Sequence, residues 1–132
     1  MTIAAVIGDG QMGLVLADAL QSRGVEVRLW GPFQKDVDQL RFDRNSPRLP
    51  DFTLDKSVLV TGDGNEALDG IDVAINAIPT QFIRTVWKQL ESPLPLGVPI
   101  GCVAKGIELE TNLLPTQILE EAIGESHSTC VL

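Results

Sequence analysis

The sequence is poor in the residues that usually carry nucleophilic or metal-assisted chemistry. It holds two cysteines, Cys102 and Cys130, at no metal-ligand or redox spacing, and one histidine, His127, in a loop. No grouping supports a Ser-His-Asp or Cys-His arrangement, and "EEAIGE" (120–125) reads as a solvated helix end rather than a carboxylate pair for hydrolysis. Positive charge is also scarce. Ten Lys and Arg stand against eighteen Asp and Glu, a net charge of −8, and the basic residues are scattered. No stripe of them could track a nucleic-acid backbone, so nucleic acids and anionic membranes are excluded as partners. No apolar run approaches the roughly 20 residues of a membrane-spanning helix. The start, "MTIAAVIGDG", lacks the basic head and small-residue cleavage site of a signal peptide. There is no internal repeat, low-complexity tract or long linker. A cytoplasmic, single-domain globular protein is expected, with an apolar fraction of 44% to build its core.

What is present alternates between two periods. "IAAVI" (3–7) is a short continuous apolar run, the mark of a strand buried on both faces. From Gln11 to Arg23 the pattern turns helical, with Met12, Leu16, Ala19 and Leu20 on one face and Gly24 as the stop. Further strands are expected at 25–30, 57–61, 71–78, 98–104 and 128–132. Helices are expected at 34–42, 64–70, 80–90 and 113–124, the third with Phe82, Val86 and Leu90 inward. Residues 43–56, with two prolines, read as loop. Cys102 and Cys130 fall on strands and are expected as buried small hydrophobes, and Trp30 and Trp87 as packing residues. Regular alternation implies an α/β fold: a doubly wound, mostly parallel Rossmann-type sheet of about six strands with helices on both faces.

Gly8, Gly10 and Gly13 fit G-x-G-x-x-G between the first strand and first helix, the context that motif requires. In that setting Gly8 permits the tight turn, Gly10 lets backbone approach a diphosphate, and Gly13 allows close helix–strand packing. A plain strand–helix turn is the alternative. The acid expected about 20 residues downstream, on the adenosine ribose, is missing. "LWGPF" occupies that place, Glu26 lies too early and Asp36 too late, so NAD and NADP both stay open as cofactors.

Two later segments fall at carboxyl ends of strands, where open parallel sheets bind ligands. In "NAIPTQF" (76–82), Phe82 suits either a flat cofactor or the core. In "CVAKGIELETN" (102–112), Lys105 suits either an anionic oxygen or solvent.

Taken in order, "GDGQMG", "VEVRLWG", "NSPRLP" (45–50), "AIPTQF" and "AKGIE" make the whole chain, 1–132, similar to the first part of the cofactor domain of NAD(P)-dependent glycerol-3-phosphate dehydrogenases. The resemblance implies cofactor contacts at Gly8, Gly10, Gln11, Met12 and Gly13. Family members commonly have Ser or Asn and then an aromatic residue where Gln11 and Met12 stand. It implies an adenosine-side position at Pro32, often Arg, His or aromatic in the family. Phe82 matches a cofactor-contacting phenylalanine, and Lys105 a lysine touching both cofactor and glycerol phosphate. The implied reaction passes a hydride between nicotinamide and dihydroxyacetone phosphate, giving sn-glycerol 3-phosphate. The family's acid–base lysine lies in a C-terminal helical domain, so no catalytic residue is expected within 1–132. The final strand, ending abruptly at Leu132, suggests truncation before such a domain, and the fragment is expected to bind NAD(P) weakly at most and not to turn over alone. The resemblance also allows a homodimer of the full-length protein. A related keto- or hydroxy-acid reductase and a non-enzymatic nucleotide sensor are the competing functions.

Overall fold

The first strand shows why the rest of the sheet assembles around it. In the computed structural model, which describes all 132 residues, β1 (Ile3–Ile7) has Ala4 to Ile7 fully buried. A strand covered on both faces has no polar side to expose, so it takes the centre. It pairs in parallel with β2 (Glu26–Trp30) on one side and with β4 (Val73–Asn76) on the other. Adding β3 (Leu59–Thr61), β5 (Ile100–Cys102) and β6 (Thr129–Val131) gives one parallel sheet of order β3-β2-β1-β4-β5-β6. The order reverses beside β1, which creates the crevice in which doubly wound sheets bind ligands.

Five helices cover the two faces: α1 (Gln11–Gln21), α2 (Gln34–Asp43), α3 (Gly64–Leu68), α4 (Ile83–Leu90) and α5 (Pro115–Ile123). Alternate residues of β1 feed two separate cores, as strand geometry requires. Val6 joins Leu14, Ala17, Leu29, Val37 and Leu40 under α1 and α2. Ala5 and Ile7 join a larger cluster with Ile83, Val86, Trp87, Ile118 and Leu119 under α4 and α5. The loop after α2 is not loose. Arg44, in the left-handed conformation at φ 62°, ends α2, donates from Nη1 to the Val58 carbonyl at 2.7 Å, and accepts the Leu54 N–H at 2.8 Å. Leu54 is thereby buried in the smaller core.

The structure corrects three expectations. The buried face of α1 is Gly13, Leu14 and Ala17, with Met12 half-exposed, because a helix packed tightly on a strand turns its smallest residues inward. The segment 80–90 is a 3-10 turn at Thr80–Phe82 followed by α4: Val86 and Leu90 face the core as expected, Ile83 and Trp87 join them, and Phe82, in the 3-10 turn, stays out of it. Cys130 is exposed, because β6 is an edge strand of this sheet, whereas Cys102 on β5 is buried. His127 is buried as well, its Nδ1 2.9 Å from the Val98 carbonyl. The strands at 57–61, 71–78, 98–104 and 128–132 each lose one or two residues at one or both ends.

Candidate functional site

The turn between β1 and α1 is built by subtraction. Gly8 adopts φ 121°, and its N–H donates to the Trp30 carbonyl at 2.8 Å. A β-carbon on it would lie 2.6 Å from the Ala77 carbonyl oxygen, and one on Gly13 would lie 1.8 Å from the Gly8 carbonyl oxygen. Neither contact is tolerable, so both glycines hold β1, α1 and the segment after β4 together. Gly10 differs. A β-carbon there would meet nothing within 4 Å, so its missing side chain opens onto free space.

That space faces the amino end of α1. Gly10 is the N-cap, no side chain caps the helix, and its first turn carries no acid. The first amides of a helix have no intrahelical acceptor, and here no protein group takes their place. An uncapped, dipole-positive helix start behind a glycine is a backbone arrangement suited to an anion. Gln11 and Met12, both exposed, flank it.

On the β2 side of the crevice, Pro32 is exposed directly after Gly31. Asp9 points toward this same corner. Its carboxylate is 6% exposed, and its side chain has one ion-pair partner, Arg48, with Nη1 3.5 Å from Oδ1. Arg48 also pairs with Asp36 at 2.9 Å. Burial pushes the Asp9 carboxyl above the ordinary aspartate value, and the Arg48 charge only partly offsets it.

On the other side, the ends of β4 and β5 carry a loop that its neighbours hold in place. Asn76, fully buried, accepts the Trp87 indole N–H at 2.8 Å and so ties β4 to α4. Thr80 donates its hydroxyl to the Lys105 carbonyl at 2.6 Å. Gln81 brackets the loop, donating to the Ile107 carbonyl and accepting the Leu109 N–H, both at 2.9 Å. Arg84 makes a two-point bond to Glu108, at 2.8 and 3.1 Å, and reaches Glu121 of α5 at 3.2 Å. Hydrogen bonds from Arg84 and then Thr111 hold the Glu108 carboxyl below its ordinary value. Lys105 is exposed and its ammonium has no partner. Phe82, 61% exposed, stands on the same edge, so its side chain is free of the core.

The site residues expected from the sequence therefore divide by strand. Gly8, Gly10, Gln11, Met12 and Gly13 form the turn after β1, Pro32 follows β2, Phe82 follows β4 and Lys105 follows β5. Their strands are contiguous in the sheet, in the order β2-β1-β4-β5. Sequence reasoning missed Asp9, Arg48, Thr80, Gln81, Arg84 and Glu108. All but Asp9 and Arg84 lie inside the motif stretches "NSPRLP", "AIPTQF" and "AKGIE", which was the available signal, and Asp9 is a variable position of the glycine motif. A surface concavity of about 560 Å³ beside Glu26, Arg28 and Asp69 lies at the opposite end of β2, where Arg28 is occupied by the Glu66 and Asp69 carbonyls.

Comparison with known proteins supports the same assignment of the chain. A glycerol-3-phosphate dehydrogenase [NAD(P)+] of Listeria monocytogenes is 38% identical over 90% of this chain and 36% of its own length. That of Staphylococcus carnosus is 34% identical over 97% of this chain and 39% of its own length. The chain thus spans well under half of these relatives. The crystal structure of glycerol-3-phosphate dehydrogenase from Coxiella burnetii shares the fold at a TM-score of 0.89 and 21% identity, over 98% of this chain and 40% of that one. An octopine dehydrogenase structure with NADH and pyruvate shares it at 0.77 and 15% identity, over 98% and 35%. Residues 3–132 match the family described as NAD-dependent glycerol-3-phosphate dehydrogenase N-terminus, and the chain belongs to that family.

Proposed function

We propose that the chain binds a nicotinamide dinucleotide at the glycine turn and is the cofactor-binding part of an oxidoreductase interconverting dihydroxyacetone phosphate and sn-glycerol 3-phosphate. The observation that carries this reading is the uncapped start of α1 behind Gly10, whose absent side chain leaves room for a diphosphate. When bound, the reduced nicotinamide supplies the hydride. The amides at the start of α1 hold the diphosphate. Phe82 offers an exposed aromatic face on the same edge, and Met12 an apolar one. Lys105, unpaired and fixed through its own carbonyl by Thr80, presents a positive charge to an anionic oxygen of the substrate. The proton for the ketone oxygen comes from outside residues 1–132, and the chain alone does not turn over. Cytoplasmic residence and a homodimer of the full-length protein go with this reading.

Calorimetric titration of the chain with NADH, against Gly10→Ala, tests it. Gly10 has φ −75°, so alanine fits without strain and the melting temperature is expected to hold. NADH affinity is expected to fall by about tenfold or more, because the new methyl occupies the diphosphate's space. Equal binding by both proteins, or none by the parent, overturns the reading. A reductase for another keto acid would pass this test. Substrate exchange in an enzyme carrying this domain separates the two.

A further inference from the structure

The end of β2 carries no acid for an adenosine ribose, yet a carboxylate stands there in space. A β-carbon on Gly31 would lie 2.3 Å from Asp9 Oδ2 and 2.7 Å from its Cγ. The Asp9 carboxyl group therefore occupies the volume into which a side chain at the end of β2 would begin to grow. The register of β1 on β2, which sets Ile7 beside Trp30, brings these two distant positions together. We infer that Asp9, steadied by Arg48, replaces the missing β2 acid and selects a dinucleotide whose adenosine ribose is unphosphorylated. This rests on the dinucleotide reading and deepens it.

Charge and bonding favour that direction. Asp9, Asp36 and Arg48 line one small cleft with Gln39, Asn45 and Ser46, about 80 Å³ in volume. Two carboxylates against one guanidinium leave it net negative, which repels a 2′-phosphate. The bond from Arg48 to Asp9 is a single long contact of 3.5 Å, whereas that to Asp36 is 2.9 Å. Asp9 is thus a buried acceptor with spare capacity, and a ribose hydroxyl is the donor that would use it. Carboxylate recognition of the ribose hydroxyl is how this fold class ordinarily favours NAD, while an arginine free to bond a phosphate favours NADP. Arg48 is not free, because both carboxylates already engage it.

The test titrates the full chain with NADH and with NADPH, in the parent, Asp9→Asn and Asp9→Ala. Asparagine keeps the shape beside Gly31 and removes the charge, and the alanine variant guards against a misplaced amide. Thermal melts of all three establish that they are folded. The parent is expected to bind NADH about tenfold more tightly than NADPH, and both variants to close or reverse that ratio. A parent that prefers NADPH, or variants that bind with an unchanged ratio, overturn the role of Asp9 and leave the dinucleotide site standing. Failure of the parent to bind either dinucleotide overturns the site itself, and the inference with it.

Discussion

Two arginines each bridge a pair of carboxylates at the same edge of the sheet, and one carboxylate of each pair, Glu108 and Asp9, ends in an opposite state. Arg84 grips Glu108 with two bonds, and Thr111 adds a third at 2.6 Å. The Glu108 carboxyl is held below its ordinary value. Arg48 touches Asp9 once, at 3.5 Å, and burial lifts that carboxyl above its ordinary value. The surroundings differ in the same sense. Glu108 sits in a loop fixed by side chains from α4 and the turn before it, whereas Asp9 sits in a turn fixed by side chains that are absent. A carboxylate whose bonds are all made within the protein is a fastener. One that is buried with bonds to spare keeps capacity for a ligand.

The sharpest way to break this comparison is to fill the turn. Gly13→Ala forces a methyl to within 1.8 Å of the Gly8 carbonyl oxygen and is expected to cost about 3 kcal/mol or more, read from urea denaturation. On the other side no single change should cost as much, because several bonds share the load. Thr80→Val removes the bond to the Lys105 carbonyl and is expected to cost about 1 kcal/mol. Arg84→Met acts on the loop rather than the whole fold. Amide exchange at Glu108, Leu109 and Asn112 should quicken by about tenfold while the β1 amides keep their protection.

Acidity separates the two carboxylates most directly. The folded Glu108 value lies below its ordinary 4.5, so its bond contributes stability above that pH and loses it as pH falls through the folded value. The folded Asp9 value lies above its ordinary 3.8, so its contribution is complete below 3.8 and is lost as pH rises through the folded value. Carbon-detected NMR titration of the two carboxyls should show midpoints displaced in these opposite directions. The smallest effect follows from the same sign: at neutral pH Asp9→Asn should leave the melting temperature at or above that of the parent.

Much of this was legible in the sequence, and the gaps have physical causes. A short continuous apolar run such as Ala4–Ile7, stopped by a glycine turn, reads as a central strand, and strand–helix alternation leaves few topologies, so the sheet and its glycine turn were readable. The inner face of α1 was not, because Gly13 and Ala17 pack by being small and contribute little to a hydrophobic pattern. The stripe through Val86 and Leu90 was readable, whereas Phe82 was not, because it lies in the 3-10 turn at Thr80–Phe82, which advances the chain differently from the α-helix that follows. Glycine spacing marked the diphosphate end of the candidate site. The ribose corner was hidden, since Asp9 and Gly31 are neighbours only through strand pairing.

The contact between Asp9 and Gly31 also constrains how this chain can change. With the carboxyl group where it stands, a side chain at position 31 would collide with it, so an acid at the end of β2 requires residue 9 to move or to shrink. If residue 9 shrinks, Asp36 is the carboxylate that remains in that cleft. The two positions are therefore coupled through a steric contact. A lineage that began with the acid on the first turn would tend to keep it there.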